Sequence, residues 1–317
     1  MSTLVVLATA GLALATAFAG HRDWRLALLA NFRAHLTAAS LLVAVVAAFT
    51  DIAGPADGLV VVVLLLCSAA NLYEMLRATR PARVKVVGEG RTVRLVFANL
   101  LETNLATDRV IGWLARDRPD VFICAEAHRH WRRALTALEQ DYPHVAGSPQ
   151  GDVMIFSRRP FEAEPVDLFV DIGHAVAVRV DGLTILGLHT ASPEDLRRST
   201  ALQDLLDRAG IFLRDTAGPV VVTGDFNATP WTPPVRRLMA EAGLRCAPGA
   251  LAGTYPAALL GRRVPPWLAI PIDVVLAGGG AHAVSRRRGP AIGSDHWPVI
   301  VELVHANAPK HRESGVP

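Results

Sequence analysis

PVVVTGDFNATPWTP, residues 219–233, begins as a buried β-strand and turns polar within a few residues. Val220, Val221 and Val222 are apolar and β-branched, as suits a strand covered on both faces. Gly224, Asp225, Phe226 and Asn227 follow at once, and two proline-containing turns close the stretch. An apolar strand that ends in a carboxylate and a carboxamide is either an ordinary polar turn or a rod that holds Asp225 and Asn227 over a reaction centre. Side chains two residues apart share a face of an extended segment, so these two are expected to point the same way.

The pattern recurs along the second part of the chain. TVRLVFANL (92–100) ends near Asn99, DVFICAE (120–126) on Glu126 and LTILGLHT (183–190) near His189. PIDVVLAG (271–278) carries Asp273 between Ile272 and Val274, and GSDHWP (293–298) delivers Asp295 and His296 at the start of HWPVIVELV (296–304). DVMIFSRR (152–159) and HAVAVRV (174–180) are further strands, and Asp181-Gly182 predicts a hairpin. Helices are expected over 108–118, 130–140, 192–215 and 233–243, the third opened by Ser192, Pro193 and Asp195. Many strands with interspersed helices predict two packed sheets with helices outside. A doubly wound nucleotide-binding sheet fits less well, because no Gly-rich phosphate loop follows a strand.

Singly, these strand ends have bland accounts: GDFN as a turn, Asn99 as a strand cap, His189 as a satisfied core histidine. Glu126 closes an apolar strand and needs solvent or a partner, and Asp273 between Ile272 and Val274 must find a donor. Together, Asn99, Glu126, His189, Asp225, Asn227, Asp273, Asp295 and His296 make a set of carboxylates and carboxamides around two histidines. Such a set suits a hard divalent cation held by oxygen ligands. It also suits phosphoester hydrolysis, where the ion neutralises phosphoryl charge and a histidine handles the proton of the attacking water.

The first 85 residues are of a different kind. Hydrophobic residues make up 51% of the 317 and the mean hydropathy is +0.31, an excess concentrated before residue 85. Three apolar runs, 4–20, 35–54 and 57–76, each approach the length that spans a bilayer, so about three transmembrane helices are expected. A cleaved signal peptide competes for the first run, although no Lys or Arg precedes it. The expected organisation is a membrane anchor over 1–85, a globular domain over 86–307 and a disordered tail over 308–317. Arg22, Arg25 and Arg33 follow the first run and Arg77, Arg80, Arg83 and Lys85 the third, a bias that favours a cytoplasmic C-terminal domain. Seven of the 32 basic and four of the 29 acidic residues precede residue 86, which leaves 25 of each sign in the remainder. A neutral domain lacks the charge of a tight nucleic-acid binder, so nucleic acid is the disfavoured partner and the lipid bilayer the favoured one. Cys67, Cys124 and Cys246 show neither metal spacing nor a disulfide framework.

The ordered series FANL, PDVFICAE, DVMIFSRRP, GLHTASP, GDFNATP, IDVVLA and GSDHWPV spans residues 90–305. It resembles the endonuclease/exonuclease/phosphatase superfamily, the DNase I-like enzymes that include sphingomyelinases and inositol-phosphate phosphatases. Apolar spans ahead of such a domain resemble its membrane-anchored bacterial branch, which includes vancomycin/teicoplanin-resistance-associated proteins. The resemblance implies a four-layer α/β sandwich of two mainly antiparallel sheets flanked by helices, and a Mg²⁺ cofactor with Mn²⁺ as the alternative. It implies that Glu126 ligates the metal, with Asn99 beside it and Asp295 near it. It further implies that Asp225 and Asn227 position water and phosphate, that His296 is a general base oriented by Asp273, and that His189 steadies the phosphoryl oxygens or assists the leaving group. Leu101 and His189 stand where abasic-site endonucleases carry Asp and Tyr, which points away from DNA repair.

The expected activity is metal-dependent hydrolysis of a phosphate ester or pyrophosphate. The anchor favours a lipid-linked substrate, and the anchored relatives point to an undecaprenyl-type pyrophosphate. A membrane-tethered nuclease and a non-catalytic binding module on the same fold are the alternatives. Work on envelope intermediates, which the branch implies, calls for an outward-facing domain and conflicts with the positive-inside bias. His128 and His130 are expected at a solvated helix start, His174 at a strand opening without chemistry, and Arg286, Arg287 and Arg288 in an exposed loop. Trp231, Trp267 and Trp297 are expected as packing or as contacts to a membrane interface.

Overall fold

Along the first strand of the globular part, Val93, Leu95 and Phe97 enter one core and Val96 and Ala98 another, and all five are buried. A strand buried on both faces must lie in a sheet covered on both sides, which explains why these strands read as continuous apolar runs. The computed structural model describes residues 24–49, 57–82, 90–149, 151–164 and 172–305, with Thr9, Gly11 and Leu168 besides. The helices are α1 (Trp24–Asn31), α2 (Arg33–Phe49), α3 (Asp57–Ala78), α4 (Thr107–Asp117), α5 (His130–Leu135), α6 (Leu196–Asp215) and α7 (Pro233–Glu241).

One six-stranded sheet holds β1 (Arg91–Asn99), β2 (Val121–Ala125), β3 (His144–Gly147), β4 (Met154–Ser157), β13 (Ala281–Arg288) and β14 (Val299–His305), in the order β13-β14-β1-β2-β4-β3. The other holds β5 (Phe161–Glu164), β6 (Gly173–Val180), β7 (Leu183–Thr190), β8 (Val220–Asp225), β9 (Arg245–Cys246) and β12 (Asp273–Gly278), in the order β5-β6-β7-β8-β12-β9. A small ribbon, β10 (Ala258–Leu259) with β11 (Arg262–Arg263), stands apart. The sheets face each other across Leu95, Phe97, Ile123, Ile185, Val221 and Val275. Trp113, Leu114 and Trp131 of α4 and α5 cover the outside of the first sheet, and Leu205, Leu206 and Leu238 of α6 and α7 cover the second. The architecture is thus an α/β sandwich of two mixed sheets flanked by helices. All pairings are antiparallel except β1 with β2 and β7 with β8.

Those two parallel pairs fix where chemistry can occur. They bring the C-terminal ends of β1, β2, β7 and β8 to one edge, and β12 starts where β8 ends. Register does the rest: His189 lies beside Asp225, and Asp225 beside Asp273. Gly224 permits this row, because a Cβ there would collide with the Leu188 backbone. Asp181 and Gly182, both at positive φ (51° and 81°), turn β6 into β7 as the sequence predicts.

Several local expectations change. The 192–215 helix begins only at Leu196, where Asp195 accepts a 2.8 Å hydrogen bond from the Arg198 amide. Arg286, Arg287 and Arg288 form part of strand β13 rather than a loop. Arg286 donates to the carbonyls of Gly249, Ala252 and Asp273, and Arg288 donates to that of Gly253, so these guanidiniums brace the strand ends.

Of the apolar runs, 4–20 lies outside the described residues apart from Thr9 and Gly11, and so does the tail 308–317. Residues Gly58–Ala78 of α3 are long and apolar enough to cross a membrane. The second run begins inside α2, which meets α1 at 73° just ahead of it, and the two helices count as a span only if taken together. Among the described residues one or two candidate spans therefore stand, and the first of the three expected runs lies outside them. The bend has a local cause, because the end of α1 is held by the sandwich. Trp231 Nε1 donates to Ala30 O at 2.7 Å, the Thr229 amide donates to Asn31 Oδ1 at 2.9 Å, and Asn31 Nδ2 donates to Asn227 O at 3.3 Å. Glu74 pairs with Arg236, and Met75 and Ala78 pack on Trp231.

Candidate active site

Asp225 is the hub of the polar strand ends. Its Oδ2 accepts from Asn99 Nδ2 at 3.1 Å and its Oδ1 from the Asn227 amide at 2.8 Å. The same Asn99 amide donates to Glu126 Oε1 at 2.9 Å, and the other Glu126 oxygen accepts from the Glu102 amide at 2.9 Å. Two imidazoles flank Asp225 Oδ2, with His189 Nε2 at 3.8 Å and His296 Nε2 at 3.7 Å. Each ring is braced from behind by a buried carboxylate. His296 Nδ1 lies 2.9 and 3.1 Å from the oxygens of Asp273, and His189 Nδ1 lies 2.7 Å from Asp152 Oδ2. A carboxylate on Nδ1 fixes the tautomer and leaves Nε2 facing the cavity. That cavity, about 400 Å³, is lined by Glu126, Asp152, His174, His189, Asp225, Asn227, Asp295 and His296. Tyr255 packs on the His296 ring at 4.7 Å between centroids.

All eight residues expected from sequence thus gather at one edge of the sandwich, with Asn99 and Asp273 buried beneath the cavity and Asp295 on its wall. Two details differ from expectation. Asn227 is not part of an extended segment: its φ is 45°, and its amide closes a turn onto Asp225, so the pair converges through a turn rather than strand alternation. Its side-chain Nδ2 donates to Thr190 O at 2.9 Å, which ties the β8 loop to β7. Leu101 and Glu126 also hold positive φ (59° and 57°), so backbone strain concentrates at the site.

Asp152 is the residue of this cluster that the sequence reading missed. It is 2% exposed and bonds two histidines, His189 and, at 3.0 Å, His128. His128 is therefore tied to the site rather than solvated, whereas His130 opens α5 as expected and bonds Asn104 O at 3.1 Å. His174 lines the cavity beside His189. Asp152 carried a signal, since it opens the apolar run 152–159 much as Asp273 opens its own, but a polar residue at a strand start did not stand out.

The charges interact strongly. Burial works against the His296 cation, but Asp273, Asp225 and Asp295 outweigh it and lift the ring to about 10. Burial opposes the His189 cation likewise, and Asp152, Asp225 and Glu126 raise it to about 9. Burial lifts the Asp225 and Asp295 carboxyls above the ordinary range. Burial also pushes Asp152 up, but its bond to His189 and the charges of His189, His174 and His128 leave it below that range. A histidine raised on folding stabilises the fold fully below its unfolded value near 6.5, and loses that contribution as pH rises through the folded value. Without metal, the melting temperature is therefore expected to fall between about pH 7 and about pH 10, with a smaller fall in His296→Asn. Scanning calorimetry in EDTA reads this, and a flat profile would refute the strong pairing.

The residues fit a divalent cation. Asp225, Asp273 and His296 offer ligand atoms all within 4.8 Å of one another, and Glu126 and Asp295 line the same cavity. Excess carboxylate with two members raised by burial is an arrangement that a bound cation relieves.

A row of acids and histidines at the strand ends of a two-sheet sandwich defines a metal-dependent phosphoesterase. The chain belongs to the Endonuclease/Exonuclease/phosphatase family, whose pattern matches residues 93–296. It is similar in structure to the endonuclease/exonuclease/phosphatase of Beutenbergia cavernae, at 20% identity and a TM-score of 0.54 over 69% of this chain and 73% of that one. It is also similar to D. rerio TDP2 complexed with a single strand DNA product, at 15% identity and 0.54 over 67% and 98%. The enzyme of Bacteroides vulgatus gives 16% and 0.53 over 68% and 100%. No curated protein matches. The membrane-anchored resistance-associated branch finds no support in these likenesses, which rest on the sandwich.

The tie between α1 and the loop that carries Asn227 has an expected consequence for turnover. Asn31 is 3% exposed and grips the loop that carries Asn227 from behind. Asn31→Leu removes both bonds and is expected to lower kcat by about tenfold to a hundredfold, with KM little changed. Steady-state kinetics check it, and an unchanged kcat would show that the loop keeps its shape unaided.

Proposed function

We propose that the chain is a membrane-anchored, Mg²⁺-dependent phosphoesterase acting on a phosphate ester or pyrophosphate carried by a lipid. The observation that supports it most is the convergence of two braced imidazoles on one oxygen of Asp225, from 3.7 and 3.8 Å. One histidine is placed to take a proton and the other to give one. In this reading a bound cation would offset the Asp225 and Asp295 charges that raise His296, and its neutral Nε2 accepts the proton of the attacking water while Asp273 steadies the resulting imidazolium. Asp225 and Asn227 orient the water and the phosphoryl group. His189, kept protonated by Asp152, donates to a phosphoryl oxygen or to the leaving oxygen as the P–O bond breaks. Glu126 and Asp295, with Asn99 holding Glu126, are the residues that would bind the cation. Bound Mg²⁺, or Mn²⁺ in its place, would neutralise phosphoryl charge.

The lipid assignment draws on the apolar α3 and on exposed Leu42, Phe49, Leu59 and Leu66 along the helices. The neutral sandwich and Leu101 weigh against a nuclease. The full chain in detergent, with Mg²⁺ or EDTA, should be assayed on bis(p-nitrophenyl) phosphate, lipid pyrophosphates, inositol phosphates, plasmid DNA and RNA. Truncation before residue 86 would leave Trp231 Nε1 and the Thr229 amide without their partners, so the helices belong in the assay. Metal-dependent cleavage of lipid phosphates is the expected result; cleavage of nucleic acid alone would install the nuclease, and binding without turnover the binding module. Protease digestion of intact cells carrying a C-terminal tag reads the side of the membrane, cytoplasmic by flank charge or outward by the resistance-associated resemblance.

A further inference from the structure

We infer that an apolar groove between the helices and the sandwich holds the hydrocarbon chain of the substrate while its phosphate occupies the catalytic cavity. This deepens the proposed function and rests on it. The groove has a volume of 830 Å³ and runs between Ala34 and Ala38 of α2, Leu72 and Leu76 of α3, Trp231 of the catalytic loop, and Trp267. Apart from His35 and Arg288 the walls are apolar, so they bind apolar matter and offer a polar ligand little to replace its water.

Location narrows the occupant to a lipid chain. The apolar segment of α3 has 21 residues, about 32 Å at 1.5 Å each, against a hydrocarbon core of about 30 Å. Leu72 and Leu76 lie in its last two turns, the end that meets the sandwich through Glu74, Met75 and Ala78. With α3 across a bilayer, the groove falls where hydrocarbon gives way to headgroups, with Trp267 exposed at its edge.

Proximity links the groove to the chemistry. Gly253 lines the groove and Tyr255 the cavity, and two residues of chain span at most about 7 Å. Ile270, paired with Tyr255 in a β-bridge, also faces the groove. On the other side one loop carries Asn227 into the cavity and Trp231 into the groove. The two depressions thus share a thin wall.

The test uses the full chain in lipid nanodiscs and a hexadecylphosphonate bearing a diazirine at its chain end, whose C–P bond resists hydrolysis. Photolabel is expected on the groove segments of α2, α3 or 266–271, competed by hexadecylphosphonate and not by butylphosphonate. Ala38→Trp fills the groove and is expected to cut labelling by about tenfold or more, the equivalent of two displaced methylenes. Leu66→Trp, on an exposed face of α3, controls for general change at the helices, and the melting temperature controls for folding. Label confined to Val62, Leu65 and Leu66, or label unchanged in Ala38→Trp, overturns the inference. A shift from dimer to monomer on Ala38→Trp overturns it too, in favour of a second copy in the groove. Turnover of bis(p-nitrophenyl) phosphate is read separately. Turnover without groove labelling sinks the groove alone; groove labelling without turnover sinks the phosphoesterase reading and leaves the groove as a lipid site.

Discussion

Asp225→Ala is expected to lower kcat/KM by about a thousandfold or more, yet to melt in EDTA at a temperature no lower than the unsubstituted chain. The loss of activity follows from position. Asp225 is the one group in contact with Asn99 and Asn227 and within 4 Å of both histidines, so its removal uncouples every part of the site at once. The retained stability follows from burial. A carboxyl whose folded pKa lies above its unfolded one holds its proton more tightly when folded, so at neutral pH its ionised form weighs against the fold. Asp225→Asn separates shape from charge: it can still accept from the Asn227 amide, but it cannot lift His189 or His296. It is expected to be as inactive as the alanine variant. More than a tenth of native activity in either, measured with Mg²⁺ on a fold verified by circular dichroism, would remove Asp225 from the mechanism.

That site was legible because apolar strands with charged ends are unusual. A β-strand buried on both faces has no reason to end in Glu126 or Asp225 unless the end is used, and the surrounding valines make each exception visible. Features set by turn geometry were not legible. The convergence of Asp225 and Asn227 depends on a positive φ that residue spacing does not encode, and the assumed strand alternation gave the right partners for the wrong reason. Asp152 was hidden by its place at the start of a strand, where a polar residue is commonplace. Its meaning appears only when β4 comes to lie opposite β7 and His189 reaches across. Contacts between distant segments were the least legible. Nothing around Asn31 announces that it will cap the loop of Asn227 and Thr229 nearly two hundred residues away, and a pattern of apolar runs cannot show that the chain turns by 73° ahead of the second run to do so. The arginines of β13 failed differently: Arg286, Arg287 and Arg288 look like a solvated patch, but the strand puts Arg286 against carbonyls beneath the site.

His296 and Asp273 are expected to act as one unit, so that His296→Ala costs about a thousandfold in kcat and Asp273→Asn added to it costs almost nothing more. Among the described residues the Asp273 carboxylate hydrogen-bonds only the ring, at 2.9 and 3.1 Å, so without the imidazole it has nothing left to orient. Asp273→Asn alone is expected to cost less than His296→Ala, about a hundredfold, because a neutral amide can still bond Nδ1 but stabilises the imidazolium poorly. The pH profile distinguishes this from simple loss of packing. A general base must be neutral to work, and after burial, which lowers the ring, the Asp273 charge is the foremost influence raising it. Without that charge His296 sheds its proton more readily, so the acidic limb of the kcat profile is expected to move to lower pH in Asp273→Asn even as the plateau falls. Asp225 and Asp295 also raise the ring, so the limb moves part of the way rather than back to the value of a free imidazole. A limb that stays in place while kcat drops would mean that another group sets it, and a double variant much worse than His296→Ala would mean that Asp273 acts on the substrate directly.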